Sequence, residues 1–228
     1  SLSNDLQAHF EVHCLALPGH GGTPRVQGWS VASLASEWLA RWPEAYWLGW
    51  SLGAQVALAA ASQPGARLRG TVLLGGTPRF TATQGWSCAM QAAEFEAFCQ
   101  FCDQSPRQAL QQFLGLQVLG SEQRSATLRT LRETLATSPE IDRKALLDGL
   151  RVLRTTDLRG TMAGVQCPVL WISGERDQLT PCDAANRSSS AMPHAQVECV
   201  PGAGHALLIS HQAEVLSRSS TWLLEECA

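Results

Sequence analysis

The stretch Tyr46-Trp47-Leu48-Gly49-Trp50-Ser51-Leu52-Gly53-Ala54-Gln55 decides how this sequence folds. Its apolar first half predicts a strand, and the alanine-rich residues that follow predict a helix. Between them lies Gly-x-Ser-x-Gly, a sharp strand-to-helix turn that exposes a serine hydroxyl and leaves room only for small neighbours such as Gly49 and Gly53. We therefore predict that Ser51 is a nucleophile. The alternative is a connecting loop that has no chemical role.

Composition limits the classes of protein that this chain can belong to. Its 228 residues are 45% hydrophobic, which is enough for one large domain with a sizeable core and an inserted lobe. A net charge of -3 gives no reason to expect nucleic acid as a partner. No apolar run is long enough to predict a membrane span, and the first residues have no signal-peptide pattern. We expect a cytoplasmic monomer that does not bind membranes.

Eight cysteines could form disulfides, but most stand singly within apolar patterns, which is typical of reduced, buried thiols. Cys99 and Cys102 have the spacing of a zinc or redox half-site. No second pair and no nearby histidine completes that site. We therefore predict two thiols on a helix face, no metal and no cofactor.

Strands and helices alternate at both ends of the chain, whereas the middle is helical. Strands are predicted at residues 10–17, 45–50, 70–75, 168–173 and 196–200, and helices at residues 31–42, 52–63, 181–192 and 211–226. This order predicts an α/β fold with a mostly parallel, twisted sheet flanked by helices. Residues 1–79 and 160–228 form the predicted core, and residues 80–159 form an inserted helical cap.

A serine alcohol reacts at neutral pH only beside a base, and the base needs an orienting acid. Asp177 follows the strand predicted at 168–173. Its rival Glu175 lies closer to that strand, and the non-catalytic alternative for Asp177 is a helix cap or turn. His205 follows the strand predicted at 196–200, in a glycine-rich loop that lets the imidazole reach over the sheet. The other five histidines occupy less suitable positions.

These assignments predict an acyl-enzyme mechanism. His205 takes the proton of Ser51 as the oxygen attacks an ester carbonyl, and Asp177 stabilises the imidazolium. The backbone N–H of Leu52 donates to the oxyanion. Water then hydrolyses the acyl-enzyme with His205 as the base.

The sequence resembles the α/β-hydrolase superfamily and, within it, the BioH family of pimeloyl-ACP methyl ester carboxylesterases. The resemblance spans nearly the whole chain, and its Trp-Leu-Gly-Trp-Ser-Leu-Gly and Phe-Leu-x-Leu-Gln-x-x-Gly runs are more specific than Gly-x-Ser-x-Gly. The matching segments are residues 17–21, 47–53, 113–120, 156–159, 204–206 and 209–211.

The resemblance implies a substrate, the methyl ester of a pimeloyl chain held on acyl carrier protein, which is hydrolysed to a free carboxylate and methanol during biotin synthesis. It also implies a substrate-binding set, namely Ser51, Leu52, Phe113, Leu114, Gly115, Leu116, Gln117 and His205. Taken alone, residues 113–117 are equally compatible with a helix that buries its apolar side chains in a core.

Family caps carry arginines that bind the acidic carrier protein, and this sequence departs from that pattern. Gln108 and Gln112 stand where the family has arginines, although Arg107 is adjacent. Residues 104–160 hold nine basic and six acidic side chains, among them Arg124, Arg129 and Arg132. This bias suits a transient acidic partner, and a solvated helix face explains it about as well.

A second departure concerns the start of the chain. In the family, a central strand and a His-Gly-Trp-Gly loop, which gives a second oxyanion N–H, precede the segment corresponding to residues 10–17. No such segment precedes Phe10 here. We expect that residue 1 is not the native start, that the chain as written folds poorly or is weakly active, and that the upstream segment restores yield and turnover.

Two other functions share most of these features. One is a broad short-chain carboxylesterase or another cap-bearing hydrolase, which would share the triad and differ in cap and substrate. The other is a ligand receptor that keeps the fold without turnover. Substrate preference separates the first from the predicted esterase, and labelling of Ser51 by a fluorophosphonate separates the second.

Overall fold

A four-stranded parallel sheet forms the centre of the computed structural model, in which residues 2–138 and 142–226 are described. Its strands are β1 (Tyr46–Trp50), β2 (Gly70–Leu74), β3 (Val169–Gly174) and β4 (Ala195–Val200), in the order β1-β2-β3-β4. The helices are α1 (Leu2–Leu6), α2 (Val31–Leu39), α3 (Leu52–Ala61), α4 (Ala92–Gln104), α5 (Pro106–Gln117), α6 (Arg124–Thr137), α7 (Arg143–Thr155), α8 (Cys182–Ser189), α9 (Leu207–Ser210) and α10 (Gln212–Glu225).

The two central strands, β2 and β3, are buried along their whole length. Leu73 and Trp171 face a cluster that includes α2 and α3, whereas Val72 and Leu170 face a second cluster that includes α10. Unbroken apolar strands are the pattern expected when helices cover both faces of a parallel sheet. The predicted α/β fold class is therefore confirmed.

The strand predicted at residues 10–17 is wrong. After a turn that follows α1, this segment runs without ladder hydrogen bonds, and its residues are half-buried or exposed. Phe10 packs edge-on against Tyr46, with ring centroids 6.1 Å apart. A largely apolar sequence becomes a strand only when a neighbouring strand pairs with its N–H and C=O groups, and the described part of the chain places none beside residues 10–17.

The remaining core elements occur where they were predicted, with ends that differ by a few residues. The helix predicted at 31–42 ends at Leu39, and the helix predicted at 181–192 is shorter, with Pro181 outside it as the N-cap. The sequence analysis missed the two short helices α1 and α9. None of the helices in the described ranges has both the length and the apolar character that crossing a bilayer requires.

The thiols only partly match the expectation of burial. All seven cysteines in the described ranges are free, and three of them are buried, but Cys14 and Cys199 are exposed. Cys227 lies outside the described residues. Burial raises the pKa of Cys102 to about 11, so this thiol stays protonated at neutral pH.

The four helices α4–α7 lie between β2 and β3 in the chain, and hydrogen bonds join the two points where this insertion leaves and rejoins the sheet. Asp157 accepts hydrogen bonds from Arg159, at 2.7 and 2.8 Å, and from Arg79, at 3.0 Å. The N–H of Leu158 donates to the carbonyl of Pro78, at 3.0 Å. The hydrogen bonds from Arg159, with the charge of Arg79 nearby, lower the pKa of Asp157 from 3.8 to about 2.

Replacing Asp157 with asparagine is expected to lower the Tm by about 2 °C at neutral pH, because the arginines lose a partly exposed anionic partner. Because the pKa of Asp157 is lower in the folded state, its ionised carboxylate stabilises the fold at pH values above its ordinary pKa of 3.8. This contribution is lost as the pH falls through about 2. The Tm difference from wild type should therefore shrink in acid, as measured by circular dichroism. Glu133→Gln, on an exposed carboxylate 4.0 Å from Arg129, is the matched control. Equal losses in both variants would contradict the prediction.

Candidate active site

Ser51 occupies a strained turn between β1 and α3. Its φ of 55° and ψ of −117° make it the one residue other than glycine with a positive φ in the described ranges. A Cβ at Gly49 would lie 2.3 Å from the carbonyl oxygen of Gly53, so only glycine fits at position 49. A Cβ at Gly53 would meet no atom within 4 Å, so the expected lack of space applies to Gly49 and not to Gly53. The turn presents the hydroxyl of Ser51 at the end of the strand.

The three residues predicted as a triad meet in one hydrogen-bonded chain. Nε2 of His205 lies 2.9 Å from Oγ of Ser51, and Nδ1 of His205 lies 2.8 Å from Oδ2 of Asp177. His205 is 1% exposed and Asp177 is 3% exposed. Because Nδ1 faces a carboxylate, the neutral imidazole carries its proton on Nδ1, which leaves Nε2 free to accept the proton of Ser51. This arrangement supports attack by Ser51 on a carbonyl carbon.

Asp177 lies in the turn between β3 and α8, where the turn itself orients the carboxylate. Its Oδ1 accepts from the N–H groups of Leu179, at 2.8 Å, and Thr180, at 2.9 Å. Asp177 therefore also acts as a turn aspartate, which is the non-catalytic alternative that the sequence allowed. The rival Glu175 points elsewhere, because its Oε2 accepts from the N–H of Gly202. Sequence analysis missed Thr180, whose hydroxyl lies 2.7 Å from Oδ2 of Asp177, although its position three residues later was a usable signal.

Trp50 and Gly75, both missed by sequence analysis, position His205. The indole Nε1 of Trp50 donates to the carbonyl of His205 at 3.2 Å, and its ring lies 5.9 Å from the imidazole. Gly75, which follows β2 with a φ of 48°, lies so close that an added Cβ would be 3.3 Å from both Cε1 and Nδ1 of the imidazole. Close approach and left-handed backbone together favour glycine there.

Three of the remaining five histidines make side-chain contacts elsewhere. Nδ1 of His20 lies 3.1 Å from the carbonyl of Pro18. His13 stacks on Trp42, with ring centroids 5.1 Å apart. His211, predicted to cap the last helix, is the N-cap residue of α10, but its side chain makes no capping hydrogen bond.

Leu52 directly follows Ser51, and the segment 113–117 reaches the loop of His205 at its last residue. Leu52 is the first residue of α3, and the opening N–H groups of a helix have no acceptor within it. Residues 113–117 form the end of α5, and the carbonyl of Gln117 accepts from the N–H of Ala206, beside His205. Leu114 packs with Ala206 in one cluster, whereas Phe113 packs against Phe98 in another, with ring centroids 5.9 Å apart.

Across residues 2–138 and 142–226, no three His, Cys, Asp or Glu side chains lie together in a way that could hold a metal ion. Cys99 and Cys102 are both buried on α4. Both pack in a cluster made mostly of phenylalanine and leucine side chains.

Replacing Gly75 with alanine is expected to lower kcat about tenfold with little change in KM, because the added methyl group displaces the imidazole of His205 from Ser51. Gly65→Ala is the matched control, since Gly65 also has a positive φ, of 77°, but an added Cβ there meets no atom within 4 Å. Both variants should lose similar stability from backbone strain. Steady-state kinetics on a p-nitrophenyl ester test this, and equal kcat values for the two variants would contradict it.

Comparison with known proteins finds relatives along most of the chain. A pimeloyl-[acyl-carrier protein] methyl ester esterase of Xanthomonas axonopodis pv. citri is 39% identical over 216 residues, which cover 92% of this chain and 83% of that protein. A protein of the same name from Stenotrophomonas maltophilia (strain K279a) is 38% identical and covers 92% of this chain and 81% of its own length.

Solved structures share the fold at lower identity. An esterase from Exiguobacterium antarcticum superposes with a TM-score of 0.79 at 18% identity, covering 90% of this chain and 78% of that one. A bromoperoxidase from Bacillus anthracis superposes with a TM-score of 0.78 at 19% identity and the same coverage. The sequence model of the alpha/beta hydrolase family matches residues 1–218. The chain belongs to the α/β hydrolase family.

Proposed function

We propose that this protein is a serine carboxylesterase that hydrolyses the methyl ester of pimeloyl-ACP to pimeloyl-ACP and methanol, in the cytoplasm, during biotin synthesis. The observation that carries the chemistry is the unbroken hydrogen-bonded chain from Ser51 through His205 to Asp177. Relatives that are 37–39% identical over 92% of the chain support the substrate, because they carry that esterase name.

The reaction begins when Nε2 of His205 takes the proton of Ser51 as Oγ attacks the ester carbonyl. Asp177 stabilises the resulting imidazolium, and the N–H of Leu52, at the positive end of α3, donates to the oxyanion. The imidazolium then gives its proton to the departing methoxide, which leaves as methanol. Water attacks the acyl-enzyme with His205 as the base, and the free carboxylate leaves.

Residues 113–117 are the proposed contacts for the acyl chain. Their place beside the loop of His205 supports this role, since Gln117 and Ala206 are hydrogen-bonded. Burial divides their contributions. Leu114 and Gln117 are buried and support the site from behind, whereas Phe113, Gly115 and Leu116 keep partly exposed surface for the substrate.

Residues 80–159 are the proposed cap, and its basic face is the proposed docking surface for acyl carrier protein. Arg124, Arg129 and Arg132 are exposed on α6. The same helix packs on α5 and on α9, which follows His205 almost directly. A carrier protein bound there would sit beside the site that receives its acyl chain. We expect the enzyme to act as a monomer that binds this acidic partner transiently.

The central test is Ser51→Ala, which is expected to lower kcat on pimeloyl-ACP methyl ester by about 10⁴-fold or more, because the acyl-enzyme cannot form. Methanol release measures turnover, and a fluorophosphonate should label the wild type and not the variant. Ser62→Ala is the control, since the hydroxyl of Ser62 donates to the carbonyl of Leu58 at the other end of α3. Full activity of Ser51→Ala would remove the catalytic assignment. Faster turnover of methyl butyrate than of the carrier-bound methyl ester, which has the same leaving group, would favour a broad short-chain esterase.

The double variant Arg129→Glu, Arg132→Glu is expected to raise KM for the carrier-bound ester about tenfold at low salt, because two attractive charges become repulsive. KM for a p-nitrophenyl ester should not change. Arg67→Glu reverses an exposed charge that is paired with Glu44 near β1 and serves as the control. If both variants raise KM equally, docking on α6 is wrong.

A further inference from the structure

We propose that Thr180 is a positioning residue of this esterase, whose hydroxyl holds the carboxylate of Asp177 and the imidazole of His205 in their reactive alignment. The proposal rests on the proposed function, because it takes the chain Ser51–His205–Asp177 as the reacting unit. Thr180 itself touches neither Ser51 nor a substrate and acts through the acid and the base.

The hydroxyl of Thr180 lies among three polar atoms. Its Oγ1 is 2.7 Å from Oδ2 of Asp177, 3.0 Å from the carbonyl oxygen of Gly75 and 3.2 Å from Nδ1 of His205. Thr180 is 2% exposed, so water does not compete for these contacts. The hydroxyl therefore links three segments: Gly75 follows β2, Asp177 follows β3, and His205 follows β4.

Counting protons defines what the hydroxyl contributes. A carboxylate has about four lone-pair sites, and Asp177 has four donors. The N–H groups of Leu179 and Thr180 donate to Oδ1, and the Thr180 hydroxyl and Nδ1–H of His205 donate to Oδ2. The single hydroxyl proton points to Oδ2, which is the nearer acceptor and the charged one. A lone pair of Oγ1 then faces Nδ1–H and gives that proton a second acceptor.

The consequence is a carboxylate with no freedom to rotate. Two backbone donors fix Oδ1, and the Thr180 hydroxyl fixes Oδ2 in front of the imidazole. Valine has the volume of threonine but no donor, so Thr180→Val leaves Oδ2 with one hydrogen bond and lets the Asp177–His205 pair drift. Serine keeps the hydroxyl and loses only a methyl group.

The experiment compares Thr180→Val and Thr180→Ser by kcat and KM on p-nitrophenyl butyrate, at concentrations corrected for folded protein by circular dichroism. Thr180→Val is expected to lower kcat roughly tenfold with KM unchanged, and Thr180→Ser is expected to recover most of that loss. The low-field proton resonance of Nδ1–H should shift in the valine variant and return in the serine variant. Thr156→Val removes another buried hydroxyl, which donates to the carbonyl of Val152 in α7, and should leave both readouts unchanged.

Wild-type kcat and an unshifted resonance in Thr180→Val would overturn the role of Thr180. An equal loss in Thr156→Val would do the same, because the effect would then be general destabilisation. If Thr180→Val does not fold, Thr180→Cys replaces it, because a thiol is a weaker hydrogen-bond donor than a hydroxyl. The kcat of Thr180→Cys should be lower than that of Thr180→Ser and higher than that of Ser51→Ala. A wild-type kcat in Thr180→Cys would overturn the proposal. Ser51→Ala separates the two proposals. If Ser51→Ala is active, the proposed function is overturned. If Ser51→Ala is inactive and Thr180→Val is fully active, only the positioning role of Thr180 is overturned.

Discussion

The hydrogen bond between Nδ1 of His205 and Oδ2 of Asp177 is the interaction on which the site depends. Both groups are almost completely buried, and a buried carboxylate is stable only when its acceptor sites are filled. That requirement explains why the turn after β3 aims two N–H groups and one hydroxyl at the same side chain. Once the acid is fixed, the imidazole has one orientation, and its Nε2 points at Ser51.

Placing an imidazole on top of a sheet requires the surrounding backbone to give it room. Gly75 supplies that room at the end of β2, and the turn after β1 brings the hydroxyl of Ser51 to the imidazole. The indole N–H of Trp50 donates to the carbonyl of His205 and so fixes the loop after β4 from the side of β1. All four parallel strands end at the same edge, so each contributes a short connection to one small volume.

The helical insertion is connected to this edge rather than to the opposite one. Its start and finish are joined by Asp157 with Arg79 and Arg159, and its second helix is hydrogen-bonded to the segment beside His205. Burial divides the stretch 113–117. Leu114 and Gln117 are buried against the segment that follows His205, whereas the other three residues are partly exposed.

The sequence by itself determined the α/β fold class, the four strands β1–β4 and the set Ser51, Asp177 and His205, which the fold joins by hydrogen bonds. These follow from local patterns, since a glycine-bounded serine or a loop acid after an apolar strand depends only on nearby residues. Only the tertiary structure decided the conformation of residues 10–17, the preference for glycine at position 75 and the contacts of Thr180. Each of these depends on what lies across a strand or loop distant in sequence: a ladder partner, an imidazole ring, or three polar atoms around one hydroxyl. Periodicity and motif spacing carry no information about such neighbours, because the chain brings them together only when the sheet forms.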